Sequence, residues 1–189
     1  MADYIYVDNS NLFIEGRRVS AVKQGKAKNI IEAMKFGVLD NSYDISFGRL
    51  YEFLTGEKGR SKNVAKAFLF GSRPPPSDSI WSHAKQVGFD VVLEDRNINN
   101  KEKKIDTGLT AKVIKHAYKH MDPKNDLAII VAGDGDFVPA IKELHEDNFK
   151  IEVVFWKHAS RELKALCDRF TDLDDHLEFL RLGNPGIEK

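Results

Sequence analysis

Two aspartates separated by one glycine, Asp134-Gly135-Asp136, follow an apolar run from Leu127 to Ala132 and a single glycine, Gly133. A third aspartate, Asp8, ends the β-prone run Tyr4-Ile5-Tyr6-Val7. A fourth, Asp106, stands at the start of an amphipathic helical stretch. Carboxylates this close repel one another and keep their charge only if a cation or hydrogen-bond donors sit between them. Oxygen donors of this kind are what hard Mg²⁺ or Mn²⁺ prefers, and Mg²⁺ usually keeps several of its waters. A bound water becomes acidic enough to attack phosphorus. Two ions about 3.5–4 Å apart would stabilise both the attacking and the leaving oxygen. Plainer roles exist for each residue taken singly. Asp134 or Asp136 could cap the following helix, and Asp106 could simply answer the dipole of its own helix. One cap needs one aspartate, however, so the pair leaves a carboxylate over. Ser10 is the expected cap of the first helix, which leaves Asp8 without a capping role.

The elements that must position these residues follow from periodicity. The run ending at Ala132 is long enough, and apolar enough, for a strand buried on both faces. Phe137, Ala140, Ile141 and Leu144 then fall on one helical face, with Pro139 in the first turn where its missing N–H is not needed. Strands are predicted at Tyr4–Val7, Val64–Phe70, Phe89–Leu93, around 127–132 and at Ile151–Trp156, with a short edge strand over Thr171–Asp175. Helices are predicted from Leu12, over Ile45–Leu54, Ile80–Val87 and Ile105–Met121, after Asp136, and from Ser160. Gly71 to Ser77 holds three consecutive prolines and is predicted to be a loop, and Glu94 to Lys103 a polar rim. Alternating strands and helices specify a three-layer α/β domain with a mostly parallel central sheet. In such sheets ligands bind at the carboxyl ends of the strands, and Asp8 and Asp134 both stand at such ends.

Composition narrows the function classes. The chain has 189 residues, 29 basic and 29 acidic, for a formal net charge of zero, so there is no global pull toward a polyanion. Its one cysteine, Cys167, excludes an internal disulfide framework and suits a reducing, cytoplasmic setting. No apolar run reaches the roughly 20 residues that a membrane helix needs. Residues 1–182 read as one domain and 183–189 as a flexible tail. Arg17, Arg18, Lys23, Lys26 and Lys28 form a run without an acid, a solvated face or a phosphate-binding patch. His116 and His120 have the i, i+4 spacing of a helical zinc pair, but no third ligand accompanies them.

Together, Asp8-x-x-Asn11, Lys103-x-x-Asp106 and Gly133-Asp134-Gly135-Asp136-Phe137, followed by Ser160-x-x-Leu163 with Asp168 and Phe170, resemble the NYN domains, in the LabA-like branch of the PIN-like nuclease superfamily. The resemblance spans about residues 3 to 175. It implies a Rossmann-like sheet with an acidic pocket and hydrolysis of RNA phosphodiester bonds dependent on one or two Mg²⁺ or Mn²⁺ ions. Matched residue by residue, Asp8, Asp106, Asp134 and Asp136 would be the catalytic and metal-binding carboxylates, with Asn11 in support. Arg17, Arg18 and Lys103 are the candidate phosphate contacts. The expected partner is RNA, with no membrane, and a homo-oligomer is compatible with the chain. Two features depart from the pattern, the basic region 17–40 and the neutral overall charge. One alternative is a catalytically weak RNA-binding or regulatory adaptor on the same fold. Another is a phosphatase with paired aspartates, although such enzymes carry the pair after the first strand rather than the fourth.

Overall fold

A computed structural model describes residues 2–55, 63–73, 79–95 and 103–183, with the side chains at 72–73, 79, 94–95 and 103–107 outside the description. The order is β1 (Asp3–Asp8), α1 (Asn9–Lys23), α2 (Ile30–Phe36), α3 (Phe47–Thr55), β2 (Val64–Arg73), α4 (Ser79–Gln86), β3 (Asp90–Asp95) and α5 (Lys103–His120). It continues with β4 (Leu127–Val131), a 3₁₀ turn at Gly135–Phe137, α6 (Val138–Glu146), β5 (Lys150–Phe155), α7 (Arg161–Leu166), β6 (Arg169–Asp172), a second 3₁₀ turn at Asp174–His176 and α8 (Leu177–Leu180). The six strands form one sheet in the order β3-β2-β1-β4-β5-β6. Every pairing is parallel. Helices cover both faces, as parallel crossovers require, giving a three-layer α/β fold.

The two central strands lie deep in the sheet. β1 is buried along its whole length, and β4 is buried from Ala128 onward. They pair in register from Asp3 opposite Leu127 to Val7 opposite Val131, so their carboxyl ends emerge side by side. Trp156 and Tyr43, both fully buried, close the core beneath α1, and the Trp156 indole N–H donates to the Leu12 carbonyl at 2.9 Å.

Several boundaries differ from the periodicity reading for physical reasons. β2 continues through Gly71, Ser72 and Arg73, because the backbone stays paired with β3 up to the first proline. Residues 74–78 and 96–102, the rest of the proline-rich and polar loops, lie outside the described residues, as does the tail from 184. The last strand sits earlier than expected, at Arg169–Asp172, and Asp174–His176 forms a 3₁₀ turn instead. Ile45 is not helical but bridges Arg181. The basic region 17–40 is not one inserted loop. It comprises the end of α1 and the short helix α2, which is capped by Asn29 and ended by Gly37 at φ 64°, a conformation glycine adopts at little cost.

Candidate functional site

Asp8 closes β1 and at the same time caps α1. The helix begins at Asn9 with no intervening turn, and the Asp8 carboxylate accepts the Asn11 backbone N–H at 3.0 Å. Ser10 therefore lies inside the first turn, and the cap is Asp8 itself. Asp8 is 3 % exposed. The Asn11 side chain reaches across to the neighbouring strand, where its amide oxygen accepts the Gly133 N–H at 2.9 Å. This bond ties the start of α1 to the turn that carries Asp134 and Asp136.

That turn is tightly fixed. Gly133 presses against the Phe155 ring so closely that an added Cβ would stand 2.1 Å from two ring carbons. Its carbonyl accepts the Ser160 N–H at 2.9 Å, and Ser160 in turn caps α7. Asp134 caps the 3₁₀ turn by accepting the Asp136 N–H at 3.1 Å. Asp134 and Asp136 are both exposed. Capping thus accounts for one of the pair and leaves Asp136 over.

Asp106 lies in the first turns of α5, and its side chain is not among those described. The backbone still orients it. The last residue of α5, His120, accepts the Tyr4 hydroxyl at 3.3 Å near the start of β1, so the helix begins at the opposite, carboxyl edge. α5 also packs on β1, β2 and the Gly135–Phe137 turn. Lys103, at the first residue of α5, shares that edge.

The two arginines are engaged within the protein. Arg17 pairs with Asp44 at 2.5 Å and donates to the Tyr43 carbonyl at 3.0 Å. Arg18 pairs with Glu15, which is itself buried and bonded to His158 at 2.6 Å. Glu15 and His158 escaped the sequence reading. Glu15 stands four residues after Asn11, on the same face of α1, and His158 follows β5 as Asp134 follows β4; those placements were the available signals. Asn9 escaped as well: its amide oxygen is buried and accepts no hydrogen bond within the described residues.

Asp8, Asn9, Asp134 and Asp136 suit a hydrated divalent cation by donor chemistry, since their side chains offer oxygen donors and the buried Asn9 amide oxygen has no hydrogen-bond partner among the described residues. Among the described residues, no three of the His, Cys, Asp and Glu side chains form a ready-made metal cage. Elsewhere the metal reading fails. His116 is half-buried among Tyr4, Tyr6 and Phe68, its pKa lowered first by burial and then by Lys112. It packs as an aromatic, with the His120 ring 5.5 Å away. Burial likewise raises the Cys167 thiol pKa, as expected of a packing residue rather than a nucleophile. No helix among the described residues is long and apolar enough to cross a membrane.

No curated protein matches the chain. A crystal structure of a protein of unknown function from Vibrio parahaemolyticus shares the fold, with a TM-score of 0.66 and 21% identity, covering 96% of each chain. The family model of the NYN domain matches residues 4–174, so nearly the whole chain is spanned. This is a nuclease-like, RNA-related fold within the PIN-like superfamily, and the chain belongs to the NYN domain family.

Proposed function

We propose that the protein is a cytoplasmic metal-dependent ribonuclease of the LabA-like branch, hydrolysing RNA phosphodiester bonds at the carboxyl edge of its sheet. The observation that carries this is the side-by-side emergence of Asp8 and the Asp134–Asp136 turn from neighbouring parallel strands, joined by the Asn11–Gly133 bond. Asp8, Asp134 and Asp136, completed by Asp106, would hold one or two Mg²⁺ or Mn²⁺ ions. When bound, such an ion supplies an acidified water and neutralises charge on the phosphate. The protein's own part is positional. Asp8 and Asp134 are oriented by the backbone N–H groups they accept, and Asn11 fixes the spacing between the two loops. A preset site of this kind spares the reorganisation cost at the moment of reaction.

Lys103 is the phosphate contact that this reading favours. Arg17 and Arg18 would serve only by exchanging Asp44 and Glu15 for a phosphate, and both would then carry a salt-dependent share of binding. A weak adaptor on the same fold is the second reading. It is favoured by the lack of a three-donor cage among the described residues. The deciding experiment is cleavage of a mixed single-stranded RNA pool with Mn²⁺, Mg²⁺ or chelator, comparing the unsubstituted chain with Asp134→Asn and Asp8→Asn. Metal-dependent cleavage lost in both variants supports the nuclease. RNA binding without cleavage under any metal supports the adaptor.

A further inference from the structure

Beside the acidic edge lies a cavity of about 460 Å³, between the second half of α1, the start of α2 and the segments that follow β5 and β6. A volume of this order takes a small planar ligand. One wall is aliphatic: Val19, Val22 and Ile30 are each half-buried. The His158 imidazole adds a flat surface. Asp174 and Asp175 also line the cavity, together with two exposed cations, Lys23 and Lys157. Lys23 also pairs with Glu178 at 3.7 Å. Asp174 uses one oxygen on the Lys157 backbone N–H at 3.0 Å.

A hydrogen bond links the cavity lining to the helix that starts at the acidic edge. His158 bonds Glu15, which lies on the helix that Asp8 caps. At 1.5 Å of rise per residue, Val19 stands about 16 Å along α1 from Asp8. A span of that size is within reach of a few nucleotides of extended strand.

We propose that this cavity receives one unpaired base of the RNA strand and that its carboxylates select guanine. The proposal rests on the ribonuclease reading for its substrate class. Single-stranded RNA is read by splaying a base out, stacking its face and bonding its edge. Ionised carboxylates accept only. Guanine offers them two adjacent donors, the ring N1–H and the exocyclic amine. Adenine and cytosine offer an amine beside an acceptor, and uracil offers one N–H between two carbonyls that the carboxylates repel. Lys23 and Lys157 fit the flanking phosphates, which fix position without reading sequence. Burial raises the Asp174 pKa, so a donor arriving at that carboxylate offsets a cost already present in the free protein.

The test uses the full chain carrying Asp134→Asn, so that bound RNA is not cut. Fluorescence anisotropy compares an oligouridine strand with the same strand bearing one guanosine, and guanosine and uridine monophosphates serve as competitors. Guanine should tighten binding about tenfold, the size expected of one good bidentate contact. Asp175→Asn should erode that preference, and Val22→Trp should remove it by filling the cavity, with thermal melts showing both variants folded. Equal binding of the two strands overturns the proposal, as does a guanine preference that survives Val22→Trp in a folded protein. Metal-dependent cleavage by the unsubstituted chain is scored separately. Cleavage without guanine preference overturns the base site and leaves the nuclease standing. Guanine preference without cleavage does the reverse.

Discussion

Gly133→Ala tests how firmly the core holds the turn that carries Asp134 and Asp136. The new Cβ would stand 2.1 Å from both Cδ1 and Cε1 of Phe155 and 3.0 Å from its Cγ. Carbon atoms rest at about 3.5–4.0 Å, so the overlap is near 1.5 Å. Phe155 is 1% exposed and has no solvent-filled space into which to swing. The strand end cannot retreat freely either, because the Gly133 N–H and carbonyl are both committed, to Asn11 and to Ser160. Overpacking of this severity sits at the top of the usual range, about 3 kcal/mol. For a chain of this length that lowers Tm by about 6–12 °C. The decisive measurement is a double-mutant cycle by urea unfolding. Phe155→Ala alone should cost about 3–5 kcal/mol through its cavity, but it removes the obstructing ring. Gly133→Ala should then add nothing in the Phe155→Ala background, giving a coupling of about 3 kcal/mol. If the two costs simply add, Gly133 is not held by the ring and the positioning argument for Asp134 fails.

Three further outcomes are expected. Asp134→Asn keeps an acceptor for the Asp136 N–H, so apo Tm should hold or rise while Mn²⁺-dependent cleavage falls by orders of magnitude; a variant that melts lower yet cleaves like the parent would sink the metal-ligand role. Asn11→Ala strips the Gly133 N–H of its acceptor and should cost about 1–3 kcal/mol in urea unfolding; an unchanged stability would refute the bond's role in tying the two loops together. Asp40 is buried and bonded to Lys26 at 2.6 Å and to the Ser20 hydroxyl at 2.6 Å. Lys26 first, then Ser20, holds its carboxyl well below the ordinary carboxylate range. A depressed folded pKa contributes stability that is full above the unfolded value, about 4, and is lost as pH falls below it. Asp40→Asn should therefore be less stable than the parent at pH 7, with the gap closing as the pH is taken below 4; a gap independent of pH would refute the assignment.

The fold was legible because its strongest signals are local. The apolar run at 127–132 has no way to be buried except between two neighbours in a parallel sheet, and the four-residue stripe of α5 has one buried face. What was not legible depends on contacts between distant segments. Nothing around Arg17 or Arg18 announces Asp44, twenty-seven residues away, or the Glu15–His158 bond that spans 143 residues. Arg18 finds Glu15 three residues before it, just outside the run of cations, whereas Asp44 and Asp40 reach Arg17 and Lys26 from farther along the chain. The end of β2 was misplaced for a related reason. Proline stops a strand at its own position, but pairing with β3 decides whether the residues before it stay extended. Cys167 is only partly buried, and burial pushes its thiol pKa up.

The cap that Asp134 makes is compatible with the proposed metal role. Capping Asp134 occupies one of its two carboxylate oxygens with the Asp136 N–H. That bond fixes the rotamer, and a fixed rotamer is what a ligand set needs, since each freely rotating carboxylate must lose its own entropy when a cation arrives. Asp8 is oriented in the same way by the Asn11 N–H, at the carboxyl end of the neighbouring strand. A cap at the carboxyl end of a buried strand is thus both a structural device and a means of aiming a charged group out of the sheet edge. Removing the cap function while keeping the charge separates the two contributions. In Asp134→Glu the longer side chain keeps its charge but loses the short cap geometry. Weaker Mn²⁺ affinity with a nearly unchanged apo Tm would show that the cap serves the ligand set more than the fold, and unchanged Mn²⁺ affinity would show that it does not.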